Sequence, residues 1–198
     1  LWCILYPNVM LEWYPYSLVV STLLPLAPDQ TLNVVEFYYP EEVALFERDV
    51  RVFTVASGTA ANAISVASLA PPWGAVLCHR EAHIECDECG AAEFYSGGAK
   101  LVLIDGEAAK LTPDALVEGI ARNARGIHSV KPAAVSISQT TERGAVYRPG
   151  EVAALGEVAK AAGLGLHMDG ARFANAVASL GCQPAEITWR AGVDLLSF

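Results

Sequence analysis

Residues 1–47 contain no lysine or arginine; all 13 basic residues of the 198-residue chain lie from Arg48 onward, against 22 acidic ones. A net charge of −9 argues against a phosphate-reading nucleic-acid surface. Long apolar runs are also missing. The best stretch, Leu18–Ala27, is broken by Thr22 and Pro25 and is too short to span a bilayer. The basic start of a secretory leader is lacking too. Partners of the nucleic-acid and membrane classes are therefore not expected. Cysteine is scarce: Cys3, Cys78, Cys86, Cys89 and Cys182 make an odd count in a chain of ordinary domain size. That fits a reducing cytoplasm better than a disulfide framework. Neither GxxxxGK[ST] nor GxGxxG occurs, so the familiar nucleotide-binding turns are absent.

What is present suffices for a core, since 53% of the residues are apolar. Residues 1–40 read differently from the rest. Prolines 7, 15, 25, 28 and 40 interrupt them, Trp2, Trp13 and five of the seven tyrosines crowd the stretch 1–47, and no helical or alternating period is sustained. This segment is left unassigned and is expected to pack poorly. From Glu41 the text becomes ordinary globular sequence. Glu41–Asp49 suits a short helix and Val50–Ala56 a short buried segment. Ala60–Leu69 suits a helix stopped by Pro71–Pro72. Thr112–Ala124 predicts a helix with Thr112 as cap and Pro113 at its first position. Pro149–Ala162 predicts another, ended by Gly163. Strand-like runs are Ala75–Cys78, Lys100–Ile104, Ala133–Ser138, Gly163–Met168 and Asp194–Phe198. Strands alternating with helices of this length predict an α/β fold, a mostly parallel sheet with helices on both faces. Ligands of such folds sit beyond the carboxyl ends of the strands.

Three constellations could carry chemistry. Ser57-Gly58-Thr59-Ala60-Ala61-Asn62 turns a strand-like run into a helix, where free amides and hydroxyls suit a phosphate. A plain helix cap explains the same residues. Leu166-His167-Met168-Asp169-Gly170-Ala171-Arg172 delivers a carboxylate at a strand end with an arginine three residues on. Asp169 could equally cap the next helix or pair with Arg172. His79, His83, Cys86 and Cys89 are four zinc-ligand types within eleven residues. Crowded onto one turn and one helix, they make a poor tetrahedral cage, so no metal is expected. Asp87 and Glu88, between the two cysteines, would raise the thiol pKa and argue against a redox pair.

Longer segments carry a resemblance. FERDVRVF (46–53), SGTAAN (57–62), the stretch 71–101, VSISQTTERGAVYRP (135–149), LHMDGARFANAVASLG (166–181) and ITWRAGVDLLSF (187–198) look like the bacterial low-specificity L-threonine aldolases. These belong to the β-eliminating lyase group of fold-type-I pyridoxal-phosphate enzymes. The resemblance covers about residues 41–198 and implies part of a cofactor-binding large domain, without the smaller carboxyl-terminal one. It implies that Ser57, Gly58 and Thr59 hold the cofactor phosphate and that His83 stacks on the pyridine ring. Asp169 would pair with the ring nitrogen, keeping the ring an electron sink. Arg172 would neutralise charge near the cofactor or substrate. Glu88 and His128, with His83, are implied on the substrate side.

The implied reaction is retro-aldol cleavage of L-threonine, L-allo-threonine and related β-hydroxy-α-amino acids to glycine and an aldehyde, in a homodimer or homotetramer. The family's Schiff-base lysine follows the last matching segment. Lys100, Lys110, Lys131 and Lys160 all precede Asp169, so none takes that role, and this chain by itself is expected to be an inactive fragment. Two alternatives stand: a non-catalytic cofactor-binding homologue, or another pyridoxal-phosphate lyase or transferase reaction on the same fold.

Overall fold

The computed structural model describes the backbone of residues 2–5, 9–14, 17–27 and 30–38, and residues 50–198 except 125 in full. The chain divides into two compact units, Leu1–Thr54 and Val55–Phe198. In the first, β1 (Trp2–Leu5), β2 (Val9–Tyr14), β3 (Ser17–Ala27) and β4 (Gln30–Tyr38) form an antiparallel meander in that order. Sequence periodicity had not revealed these strands. The interrupting prolines explain why, and β3 explains how one is tolerated. Strand β2 pairs β3 only from Ser17 to Thr22, so Pro25 lies where β3 has a single neighbour. A register shift between Pro25 and Ala27 absorbs the missing donor. The side chains of this segment, and the helix expected at Glu41–Asp49, lie outside the described residues.

Val50–Ala56 departs from expectation. It is irregular, with Val52 57%, Phe53 80% and Val55 41% exposed. An apolar run is buried as a strand only where an adjacent strand pairs with it, and this run forms no ladder among the described residues.

The second unit is built on five parallel strands. They are β5 (Gly74–His79), β6 (Lys100–Ile104), β7 (Lys131–Ser138), β8 (Gly165–Asp169) and β9 (Leu195–Ser197), in spatial order β6-β5-β7-β8-β9. Helices follow the strands: α1 (Gly58–Leu69), the short α2 (His83–Cys86) and α3 (Ala91–Tyr95), α4 (Pro113–Asn123), α5 (Pro149–Ala161) and α6 (Phe173–Leu180). The capping signals read from sequence operate as expected. Thr112 Oγ1 accepts from Ala115 N at 3.3 Å, with Pro113 in the first turn. Helix α5 starts at Pro149 and gives way to a left-handed Gly163. The fold class is therefore the parallel α/β one.

Alternation along the strands splits the core in two. Val76, Cys78 and Ala134 pack with Val66 of α1, with Ala70 just beyond its end, and with Ala92 of α3. Leu77, Val135, Ile137, Leu166 and Met168 pack on the opposite face with Leu116 of α4 and with Val152 and Leu155 of α5. The remaining parity of the central strands puts Ser136 on β7, and His167 and Asp169 on β8, on the α1 face. There α1 lies close: a Cβ on Gly165 would sit 2.6 Å from Leu69 Cδ2. A face otherwise built of small apolar side chains thus carries a row of polar ones, all buried.

Candidate active site

Asp169 is the last residue of β8 and is 6% exposed. Its neighbour in register is Ser197, the last residue of β9. Gly170 keeps the two strands together, because its amide donates to Ser197 O at 2.6 Å. A Cβ there would fall 2.7 Å from Leu196 Cδ1 and 2.8 Å from Ser197 O, so only glycine fits this approach. Asn62, in the second turn of α1, faces the same point and is 2% exposed.

The Asn62 carboxamide joins two buried carboxylates. Its Nδ2 donates to Glu88 Oε1 at 2.9 Å and to Asp169 Oδ2 at 3.2 Å. Ionised carboxylates only accept, which orients the amide: Nδ2 faces them and Oδ1 faces away. Ser197 Oγ donates to that Oδ1. His167 Nε2 lies 2.6 Å from Ser197 Oγ, and His167 Nδ1 lies 2.9 Å from Ser136 Oγ. The second oxygen of Asp169 is held locally, by Ala171 N at 3.0 Å. Asp169 thus makes an Asx-type turn into the following segment and does not pair with Arg172. Burial holds His167 neutral, with its pKa lowered to about 4 against a partial pull from Asp169.

Glu88 is the second carboxylate, 3% exposed. Burial pushes its pKa above the usual range, opposed by the Asn62 hydrogen bond and by His83, while Asp169 pushes it further up. Thr59 also holds the charged form. Glu88 Oε2 is buried with no hydrogen-bond partner within bonding distance among the described residues. His83, at the start of α2, places Nε2 3.9 Å from Glu88 Oε1 and Nδ1 3.5 Å from Asp87 Oδ2, and its side chain is 38% exposed. An imidazole half in solvent beside a buried acid can touch a bound molecule and exchange protons with it.

Ser57, Gly58 and Thr59 form the exposed amino end of α1. Ser57 is the helix cap, its Oγ accepting from Ala60 N at 3.1 Å. The first helical bond runs from Ala61 N to Ser57 O, so the amides of Gly58 and Thr59 remain available to an anion. A Cβ on Gly58 would meet nothing within 4 Å. The turn and the two carboxylates belong to one site because Asn62 and Thr59 share α1.

Other expected site residues stand elsewhere. Arg172 Nη2 pairs with Glu142 Oε2 at 3.1 Å, with half its side chain exposed. Asp169 is near enough to favour its charge, but the main partner is Glu142. His128 is exposed and lies three residues before β7 begins, at the amino edge of the sheet. Strand β7 then runs roughly 20 Å to the carboxyl edge where Asp169 sits, so the structure does not bring His128 to the cluster. Among the described residues, no three His, Cys, Asp or Glu side chains converge as metal ligands. His79 Nδ1 accepts from Glu81 N at 3.0 Å and its Nε2 lies 3.1 Å from Gly106 O, so backbone occupies both nitrogens. The Cys86 thiol is pushed up by partial burial and then by Asp87 and Glu85.

Asn62, Ser136, His167 and Ser197 were not among the expected site residues. His167 and Asp169 lie two apart on a strand and must share a face, a signal visible in the sequence. The other three are recognisable only once the strand order is known.

Comparison with known proteins identifies the family. Over residues 27–198 the chain matches the family described as beta-eliminating lyase. It is 51% identical over 154 residues to the low specificity L-threonine aldolase of Pseudomonas sp. (strain NCIMB 10558), covering 78% of this chain and 44% of that protein. The Pseudomonas aeruginosa counterpart is 52% identical over the same shares. Among solved structures it resembles the threonine aldolase of Leishmania major, with a TM-score of 0.63 at 34% identity over 67% of this chain and 38% of that one. The chain spans less than half the length of the curated relatives it matches. The parallel sheet, the polar face under α1 and this similarity together place the chain in the beta-eliminating lyase family.

Proposed function

We propose that this chain holds pyridoxal 5'-phosphate in a lyase of the threonine aldolase type. The reaction is cleavage of L-threonine, L-allo-threonine and related β-hydroxy-α-amino acids to glycine and an aldehyde. One observation carries the reading: Asp169, buried at the carboxyl end of a parallel strand, is bridged through Asn62 to a second buried carboxylate with an unpartnered oxygen, beside the free amides that open α1. A cofactor with a phosphate at one end and a basic ring nitrogen near the other fits that pairing of sites.

In this reading Gly58 and Thr59 offer amides to the phosphate and Ser57 adds its hydroxyl proton, while the Thr59 hydroxyl serves Glu88. Asp169 holds a proton at the ring nitrogen. Asn62 and Ala171 hold the Asp169 carboxylate in place by donating to both its oxygens. His83 covers the ring face and accepts the β-hydroxyl proton, with Glu88 behind it to stabilise the imidazolium. When bound, the cofactor supplies the electron sink for the pair released by the broken Cα–Cβ bond. Arg172, tied to Glu142, sets charge at the rim. Residues 41–198 are read as this cofactor-holding large domain. The free thiols of Cys86 and Cys89 fit a cytoplasmic setting, and the exposed rings of Phe94 and Tyr95 fit a homodimer or homotetramer.

A protein that carries this chain together with the rest of the length of its relatives, supplied with pyridoxal 5'-phosphate, is expected to release glycine and acetaldehyde from L-threonine. Asp169→Ala is expected to lower that rate roughly hundredfold or more. Full activity in Asp169→Ala would overturn the assignment.

A further inference from the structure

The polar row beneath Asp169 has a direction. Asn62 must present Nδ2 to the two carboxylates, so its Oδ1 needs a donor, and Ser197 Oγ is that donor. Having given its only proton to Asn62, Ser197 can only accept from His167, so His167 carries its proton on Nε2, 2.6 Å away. His167 Nδ1 is then bare and accepts a hydrogen bond from Ser136 Oγ, 2.9 Å away. Ser197 Oγ has one other acceptor in reach, Met168 O at 3.5 Å, but the Asn62 contact is much the closer, so the row has one preferred orientation. The row is sealed from water: Ser136 is 2% exposed, His167 0%, Ser197 5% and Asn62 2%. No member of the row other than Asn62 is bonded to Asp169 or Glu88.

We propose that Ser136, His167 and Ser197 are positioning residues: a one-way buried hydrogen-bond chain that locks the Asn62 carboxamide across Asp169 and Glu88 and so sets how strongly Asp169 grips a ligand's ring nitrogen. The proposal rests on the pyridoxal-phosphate reading above. Without the Ser197 donor, the carboxamide can rotate and turn Oδ1 toward two carboxylates. Three acceptors would then share one buried pocket with no donor between them, and the Asp169 carboxylate would lose its fixed position. The charged or titratable groups facing Asp169 are Glu88 through Asn62, His167 on its own strand and Arg172 at the rim; His83 lies beyond Glu88. Only the Asn62 contact depends on the chain.

The test compares two probes on the purified protein. One is 4'-deoxypyridoxine 5'-phosphate, which has the phosphate and the ring nitrogen but no aldehyde, so no lysine is needed to bind it. The other is its benzene-ring analogue, with the phosphate and without the nitrogen. The ratio of the two affinities reads the grip of Asp169 and cancels the phosphate site. Ser197→Ala is expected to shrink that preference about tenfold, the worth of one charge-assisted hydrogen bond, and Ser197→Thr, which restores the hydroxyl, to recover most of it. If Ser197→Ala weakens both probes equally, the row is merely structural and the inference fails. If the unaltered protein shows no preference for the ring nitrogen, the cofactor reading fails first and takes the inference with it. Nitrogen-15 spectra of His167 in the unaltered protein give a check that needs no variant to fold. Nε2 protonated and Nδ1 bare at every pH from about 5 to 8 is expected; the opposite tautomer, or titration in that range, overturns the chain's direction.

Discussion

Asn62 Nδ2 lies 3.2 Å from Asp169 Oδ2, a contact between residues 107 apart in sequence and both buried. The same nitrogen reaches Glu88, so one carboxamide supplies donors to two acids taken out of water. A buried carboxylate without donors is costly, and this arrangement gives each acid one.

Asn62→Leu keeps most of the side-chain volume and removes the donors. Unfolding in urea is expected to show a loss of about 2–3 kcal/mol, the cost of leaving buried acceptors unmatched. A loss below about 0.5 kcal/mol would mean that water already serves these oxygens.

Glu88→Gln should respond to pH in a definite direction. The folded-state pKa of Glu88 is raised by burial, so the folded protein holds this proton more tightly than the unfolded chain does. Its contribution to stability is fully present below the ordinary value of 4.5 and is lost as pH rises through the folded value. The stability of the unaltered protein relative to Glu88→Gln is therefore expected to decline from pH 4 towards neutrality. Denaturation curves at four or five pH values measure this, and a difference that grows with pH contradicts it.

His167 acts at the acid end. Its pKa is lowered from 6.5 to about 4, so the unfolded chain takes up this proton first as pH falls. Stability is intact above pH 6.5 and is lost between there and about 4, by up to about 3 kcal/mol. His167→Gln, which cannot titrate, is expected to lose less stability over the same interval. Parallel acid-unfolding profiles of the two proteins would settle it; identical slopes refute the assignment.

Much of the second unit was legible in the sequence because its signals are local. Thr112 followed by Pro113 marks a helix start wherever it occurs, and Lys100–Ile104 matches β6 to the residue. Asp169 at the end of an apolar run already indicated a carboxylate at a strand's carboxyl end. Short α3 has no counterpart in the sequence reading, since one turn of helix leaves too little periodic pattern. Arg172 could have served Asp169 as well as any other acid on sequence grounds; the position of Glu142 decided otherwise. His128 has the right chemistry and the wrong edge of the sheet.

By itself, the sequence determined the α/β class, the capped start of α1 at Ser57 and the resemblance to threonine aldolases, all properties of contiguous residues. Tertiary structure decided which polar side chains share a pocket. Ser136, His167 and Ser197 are unremarkable strand residues until the order β7-β8-β9 sets Ser136 beside His167 and Ser197 beside Asp169. Strand order and register come from packing summed over both faces of the sheet. No stretch of sequence contains that sum, and it alone brings Asn62 to the two carboxylates.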